Sequence, residues 1–230
     1  MTVTTLKRNK KDVLDQIKPV NELDKISDLK LESSNLKEAL AEYEDLLGLS
    51  DLFKKTLSSK SPIWSFDEYK LMTIHKKIIE NYKTVLTSNE INIFTKMLFA
   101  RNDFRKDFPI NGYFLSNLIE KSYLKGNNDF KFESNNVDYF GYLIKGVKDN
   151  PICIGIENNF GDLTAYSALY SKFFIGKHNS KAGNQSPGLN AKDSVFISPN
   201  RETLDLICAK PKDGNKFYLL VDGEEVLYEK

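Results

Sequence analysis

The chain has 230 residues, with 33 lysines and arginines against 32 aspartates and glutamates, 40% hydrophobic residues, two cysteines and two histidines. That length suits one large domain or two small ones with a real core. A formal charge of +1 supplies no global field for nucleic acid or an anionic membrane. Cys153 and Cys208 are too few for a disulfide framework or the usual four-ligand zinc site, and no apolar run is long enough to span a bilayer.

The start of the chain lacks the apolar stretch that follows the charges of a secretory signal, so a cytoplasmic protein is expected. Lys7, Arg8, Lys10 and Lys11 cluster there, and residues 1–12 read as a loose basic arm. Glycine then divides the chain. Only Gly48 lies before residue 111, and eleven glycines follow from Gly112 onward. Glycine costs a helix interior about 1 kcal/mol relative to alanine, whereas tight turns need it. A helical domain over 13–125 and a turn-rich one over 126–230 are expected. Charge does not follow this division: residues 1–110 carry 19 basic and 17 acidic groups, and residues 111–230 carry 14 and 15.

Three capping boxes mark the first half. Asn35 with Glu38 precedes Leu36, Leu40, Tyr43 and Leu47. Ser65 with Glu68 precedes Tyr69, Met72, His75, Ile79, Tyr82 and Leu86. Thr87 with Glu90 precedes Ile91, Phe94 and Met97 or Leu98. Shorter helices are expected over Ser50–Leu57 and Gly112–Tyr123, with Pro62 and Pro109 between elements. From Asp129 the pattern changes to short β-branched and aromatic runs separated by Gly and Asn: Phe130–Glu133, Tyr139–Lys145, Ile152–Glu157, Lys172–Gly176, Val195–Ser198 and Phe217–Asp222. One further helix is expected over Asn200–Cys208.

The second half repeats itself. Gly161-Asp162 returns as Gly183-Asn184, and Ala168-x-x-Ser171-x-Phe173 returns as Ala191-x-x-Ser194-x-Phe196. An earlier copy matches Phe140-Gly141 to Phe160-Gly161 and Ile154-Gly155 to Ile175-Gly176. A unit of 20–23 residues cannot enclose a core, but stacked units can, with strands pairing between neighbours. The expected fold is therefore α+β: a helical amino-terminal domain followed by a short right-handed parallel β-solenoid. These residues resemble the GXGXG-type right-handed solenoid found in the carboxy-terminal domain of glutamate synthase and in one of the formylmethanofuran dehydrogenase subunits, and they are similar to uncharacterised archaeal proteins of that kind. The resemblance covers residues 135–230, with Ala165 and Pro187 where glycine is usual. It implies a structural role that holds subunits in place and no reaction.

Candidate chemistry is sparse. His178 lies on a Gly/Asn-rich connection within a coil or two of Glu157, Asp162 and Lys181, a set that could line a groove for general-base or metal chemistry; an exposed loop is the plain alternative. His75 reads as a core or boundary histidine, and both cysteines, flanked by aliphatic residues, as inert thiols. Asn158, Asn159, Asn179, Asn184, Asn190 and Asn200 read as turn residues, with carbohydrate binding beside Tyr166 or Tyr170 as the sharper alternative. Arg101, Arg105 and Lys106 lie near Phe104 and Phe108 and, with the basic arm, could contact RNA phosphates.

The expected function is a non-enzymatic interaction or scaffolding protein with a protein partner or a second copy of itself. No cofactor, metal or membrane is involved in this reading. An RNA- or ribosome-associated protein is the alternative, and a hydrolase or lyase in a solenoid groove is the third reading.

Overall fold

The computed structural model describes residues 33–48, 81–100, 109–133, 140–161, 164–178, 187–208 and 213–229. Helices come first: α1 (Ser34–Gly48), α2 (Ser88–Phe99) and α3 (Pro109–Leu124). Strands β1 (Asp129–Phe132), β2 (Ile152–Phe160), β3 (Ser171–His178) and β4 (Val195–Ser198) follow, then α4 (Arg201–Cys208), β5 (Lys216–Val221) and β6 (Glu224–Leu227). The six strands form one sheet in chain order, β1 to β5 parallel and β6 antiparallel to β5. Parallel neighbours in chain order mean that the chain returns to the same side after each strand, which is the winding of a solenoid. The expected α+β architecture, helices and then a parallel β-solenoid of about three turns, is the one observed.

The coil's corners explain how such thin units hold together. Ala165 N–H donates to Phe140 C=O and Gly188 N–H to Thr164 C=O, both at 2.8 Å. Leu169 N–H reaches Ile144 C=O and Lys192 N–H reaches Ala168 C=O, both at 2.9 Å. Each turn thus hands its amides to the turn before it. Three corner levels carry left-handed backbone at Gly141, Ala165 and Gly188, with φ of 73°, 60° and 68°. Leu143, Ser167 and Asn190 repeat the device at 55°, 52° and 59°. Such conformations cost a residue with a Cβ about 1–2 kcal/mol each, so the stacked hydrogen bonds must enforce them.

That register corrects the earlier copy of the repeat. Gly141 is level with Ala165, not with Gly161, and Ile154 pairs with Phe173, not with Ile175. The five residues from Val147 to Pro151 in the first turn shifted the sequence alignment. The Ala-x-x-Ser-x-Phe part of the later copy holds, since Phe173 pairs with Phe196 and Ser171 N–H donates to Ser194 Oγ at 3.3 Å, whereas Asp162, Gly183 and Asn184 lie outside the described residues. The expected strand over Tyr139–Lys145 is replaced by a corner, since residues 140–143 form a turn and only Lys145 bridges Leu169.

The interior is built from rows. Phe130, Ile154, Phe173, Phe196 and Phe217 stand side by side on successive strands, all buried. The rings of Phe173, Phe196 and Phe217 stack at 5.5 and 5.7 Å with planes 10° and 14° apart. Gly176 is fixed by close approach: a Cβ there would lie 2.2 Å from Asn158 O.

The helical part joins the same core. In α3 every residue from Asn111 to Ile119 is buried, as in a helix enclosed on all sides. Phe114 meets Tyr43 of α1 at 5.5 Å, Phe94 of α2 at 5.8 Å and Tyr82 at 6.0 Å. The Thr87–Glu90 capping box forms as expected at α2. The Asn35 cap does not: α1 starts two residues earlier than that cap implies, and Ser33 Oγ accepts from Leu36 N–H at 3.4 Å. Ser33 also donates its hydroxyl proton to Glu90, tying the two helix starts together. Burial pushes the Glu90 carboxyl up, but these bonds from Ser33 and Thr87 outweigh it and leave it below the usual range. Pro109 opens α3 rather than preceding it, where its missing N–H costs nothing.

Candidate functional site

Stacking of the corners leaves an open groove of about 400 Å³ along one edge of the coils. It is lined by Lys145, Ser167, Leu169, Asn190, Lys192 and Asp213, among others. Lys145, Leu169 and Lys192 occupy one ladder position in successive turns, which sets two ammonium groups along the groove. Lys192 Nζ lies 3.8 Å from Asp213 Oδ2, a solvent-exposed pair of small energetic weight. Asn190 Nδ2 donates to Tyr166 Oη at 3.0 Å, and Tyr166 stacks on buried Tyr142 at 5.3 Å. One ring face of Tyr166 is therefore committed to packing. The groove offers a place for a small polar or anionic group; among the described residues no three His, Cys, Asp or Glu side chains converge on a metal position.

Of the groove residues singled out in the sequence, Glu157 and His178 fall within the described strands β2 and β3. Glu157 lies exposed on β2 beside the β1 end, where Asn158 N–H donates to Glu133 C=O. Burial raises its carboxyl above the usual range and neighbouring Glu133 adds to this, while Lys131 and Lys96 oppose it. His178 ends β3, opposite Phe160 and so three residues farther along than Glu157, about 10 Å at strand spacing. Asp162, Lys181, His75, Lys7, Arg8, Lys10, Lys11, Arg101, Arg105 and Lys106 lie outside the described residues. Cys208 is buried as expected, whereas Cys153 is only half-buried on β2.

The asparagines divide by role. Asn190 takes the left-handed corner expected of it, and Asn200 caps α4 through Thr203 N–H at 2.9 Å. Asn158 and Asn159 lie inside β2, at a register irregularity, and not in a turn. Asn215, which sequence reasoning missed, takes the place that Ser171 and Ser194 hold in the earlier turns. Its Oδ1 accepts from Ser194 N–H at 2.9 Å and its Nδ2 donates to Ala191 C=O at 2.7 Å. The signal was present in the Asn-x-Phe spacing, one residue type away from the repeated Ser-x-Phe.

The two ends of the stack differ. At the first turn, α3 supplies Ser116 Oγ to Gly141 N–H at 2.9 Å and Glu120 Oε1 to Lys145 N–H at 3.1 Å. Burial pushes the Glu120 carboxyl up to about 7, against the pull of the Lys145 amide and ammonium. On the same helix Asn117, 1% exposed, has both amide atoms buried without a hydrogen-bond partner. At the last turn, Asp222 and Gly223 have φ of 49° and 85°, the two positive values of a type I′ hairpin, and return the chain as β6. Glu225 reaches Lys172 of β3 at 3.2 Å. Val221, Val226 and Leu227 remain 44%, 49% and 56% exposed, and β6 is the last strand of the sheet among the described residues.

No helix among the described residues is long and apolar enough to cross a membrane. Comparison of the chain with protein-family models, curated proteins and solved structures finds no match.

Proposed function

We propose that this chain is a non-catalytic interaction module, in which helices and solenoid together make a rigid body that presents its last turn to a protein partner. The observation that carries this reading is the terminal strand β6, which ends the sheet with Val226 and Leu227 half in solvent. An open strand edge offers hydrogen-bonding groups that another chain can complete. The polar residues repeated through the coils add support. Ser194 Oγ accepts from Ser171 N–H, and Asn215 bonds Ser194 N–H and Ala191 C=O, so these side chains are used in stacking one turn on the next. The resemblance to GXGXG-type solenoids, which hold subunits in place, fits the same role.

A photo-cross-linking residue placed at Val226, with Val147 as an exposed control on the first turn, tests the proposal in the full-length chain. A discrete protein adduct at position 226 and not at 147 is expected. Adducts that nuclease treatment removes would favour the RNA- or ribosome-associated reading instead, and absence of any adduct at 226 would overturn the proposal.

A further inference from the structure

We infer that the open edge takes a second copy of this chain, β6 against β6, antiparallel about a twofold axis at Val226. This rests on the interaction reading above and names its partner. Tyr228 N–H donates to Phe217 C=O at 2.8 Å, and Val226 pairs with Leu219 two residues earlier. Hydrogen-bonding direction alternates along an antiparallel strand, so Glu224, Val226 and Tyr228 face β5 while Glu225 and Leu227 point their N–H and C=O groups to the open side.

A twofold axis makes one residue of the strand face its own copy, and charge selects which. Centring on Glu225 sets Glu225 against Glu225. Centring on Leu227 sets Glu225 against Glu229. Like charges directly opposite across a strand pair are unfavourable. Centring on Val226 sets Val226 against Val226, Glu225 against Leu227 and Glu224 against Tyr228, with no acidic pair facing. In that register Glu225 and Leu227 of each copy exchange their backbone hydrogen bonds, and each Leu227 lies beyond the other copy's Glu225, whose neighbour on β5 is Leu220.

The arrangement is closed, because both copies use their open edge in one contact. The opposite edge is flanked by a helix: α2 lies along β1, and Lys96 reaches Glu133 at 3.9 Å. Head-to-tail addition of β6 to β1 is thereby obstructed, which favours a dimer over a fibre.

Sedimentation equilibrium on the full chain, alone and with Val226→Glu and Val226→Lys, tests this. The wild type is expected to dimerise in the micromolar range. Each variant alone should dimerise about tenfold more weakly or worse, with an unchanged circular dichroism spectrum and melting temperature, since the side chain is half exposed. An equimolar mixture of the two variants should restore a dimer, which only a register with residue 226 facing itself allows. A monomeric wild type, dimers that persist in both variants, or a mixture that stays monomeric would each overturn the inference. A monomeric wild type that still gives a protein adduct at position 226 overturns self-pairing alone and leaves the interaction reading standing.

Discussion

The first and last turns of the solenoid are made of similar strands, yet they end in opposite ways. At the first, α3 is buried on all sides, Tyr113 packs on Tyr142 at 4.7 Å, and Phe132 meets Phe140 edge-on at 5.0 Å. At the last, a type I′ hairpin folds back one short strand whose four residues are all exposed. A solenoid must stop somewhere, and each stop leaves a row of unpaired backbone groups. This chain covers one end with its own helices and finishes the other in an exposed strand. The contrast teaches that covering an end is a choice of sequence: aromatic residues with serine and glutamate hydrogen bonds seal, whereas the Glu-Glu-Val-Leu of β6 leaves its side chains exposed.

Substitutions at the two ends should separate this difference in energy. Phe140→Ala, at a fully buried ring of the sealed end, should cost about 3–5 kcal/mol in denaturant unfolding. The loss should unfold helices and coils together, because they share one core. A transition that leaves helical circular dichroism in place would break the comparison by making the seal a separate body.

The sealed end also carries a pH signature. Glu120 binds its proton more tightly in the folded chain, with its pKa raised from the ordinary 4.5 to about 7 by burial. A carboxyl raised in this way leaves stability whole below its unfolded pKa and lowers it as pH climbs through the folded one. Stability should therefore fall between pH 4.5 and 7. Glu120→Gln keeps an acceptor for Lys145 N–H and should remove the decline, leaving the variant about 3 kcal/mol more stable than the wild type at pH 8. Parallel pH profiles for the two proteins would contradict this. At the open end, by contrast, Val226→Ala should change the unfolding free energy of the monomer by no more than about 0.5 kcal/mol.

Much of the architecture was legible in the sequence for identifiable reasons. The glycine divide separated helix-rich from coil-rich chain, because a coil needs a backbone that helices disfavour, although Gly112 itself lies inside α3. The Ala-x-x-Ser-x-Phe repeat set the register of the later turns correctly, since its serines and phenylalanines occupy the same stacking positions. The first turn was misaligned because it spreads its signal: Leu143 and Ala165 hold left-handed corners where glycine would announce them. The corner at residues 140–143 read as a strand for the same reason, being rich in aromatic and aliphatic residues that pack inward. The groove was not legible, because Lys145, Leu169 and Lys192 share a ladder position without sharing chemistry. The open edge was not legible, because which strand would end the sheet required the topology.

Amide hydrogen exchange resolved by residue tests the account most directly. Leu169 and Lys192 amides, each bonded to the preceding turn, should exchange as slowly as global unfolding allows. Those of Glu225 and Leu227 should exchange fast in dilute protein and slow down together as concentration rises. Slow exchange at the two β6 positions under dilution, or fast exchange at Leu169 and Lys192, would contradict a stack sealed at its beginning and open at its end.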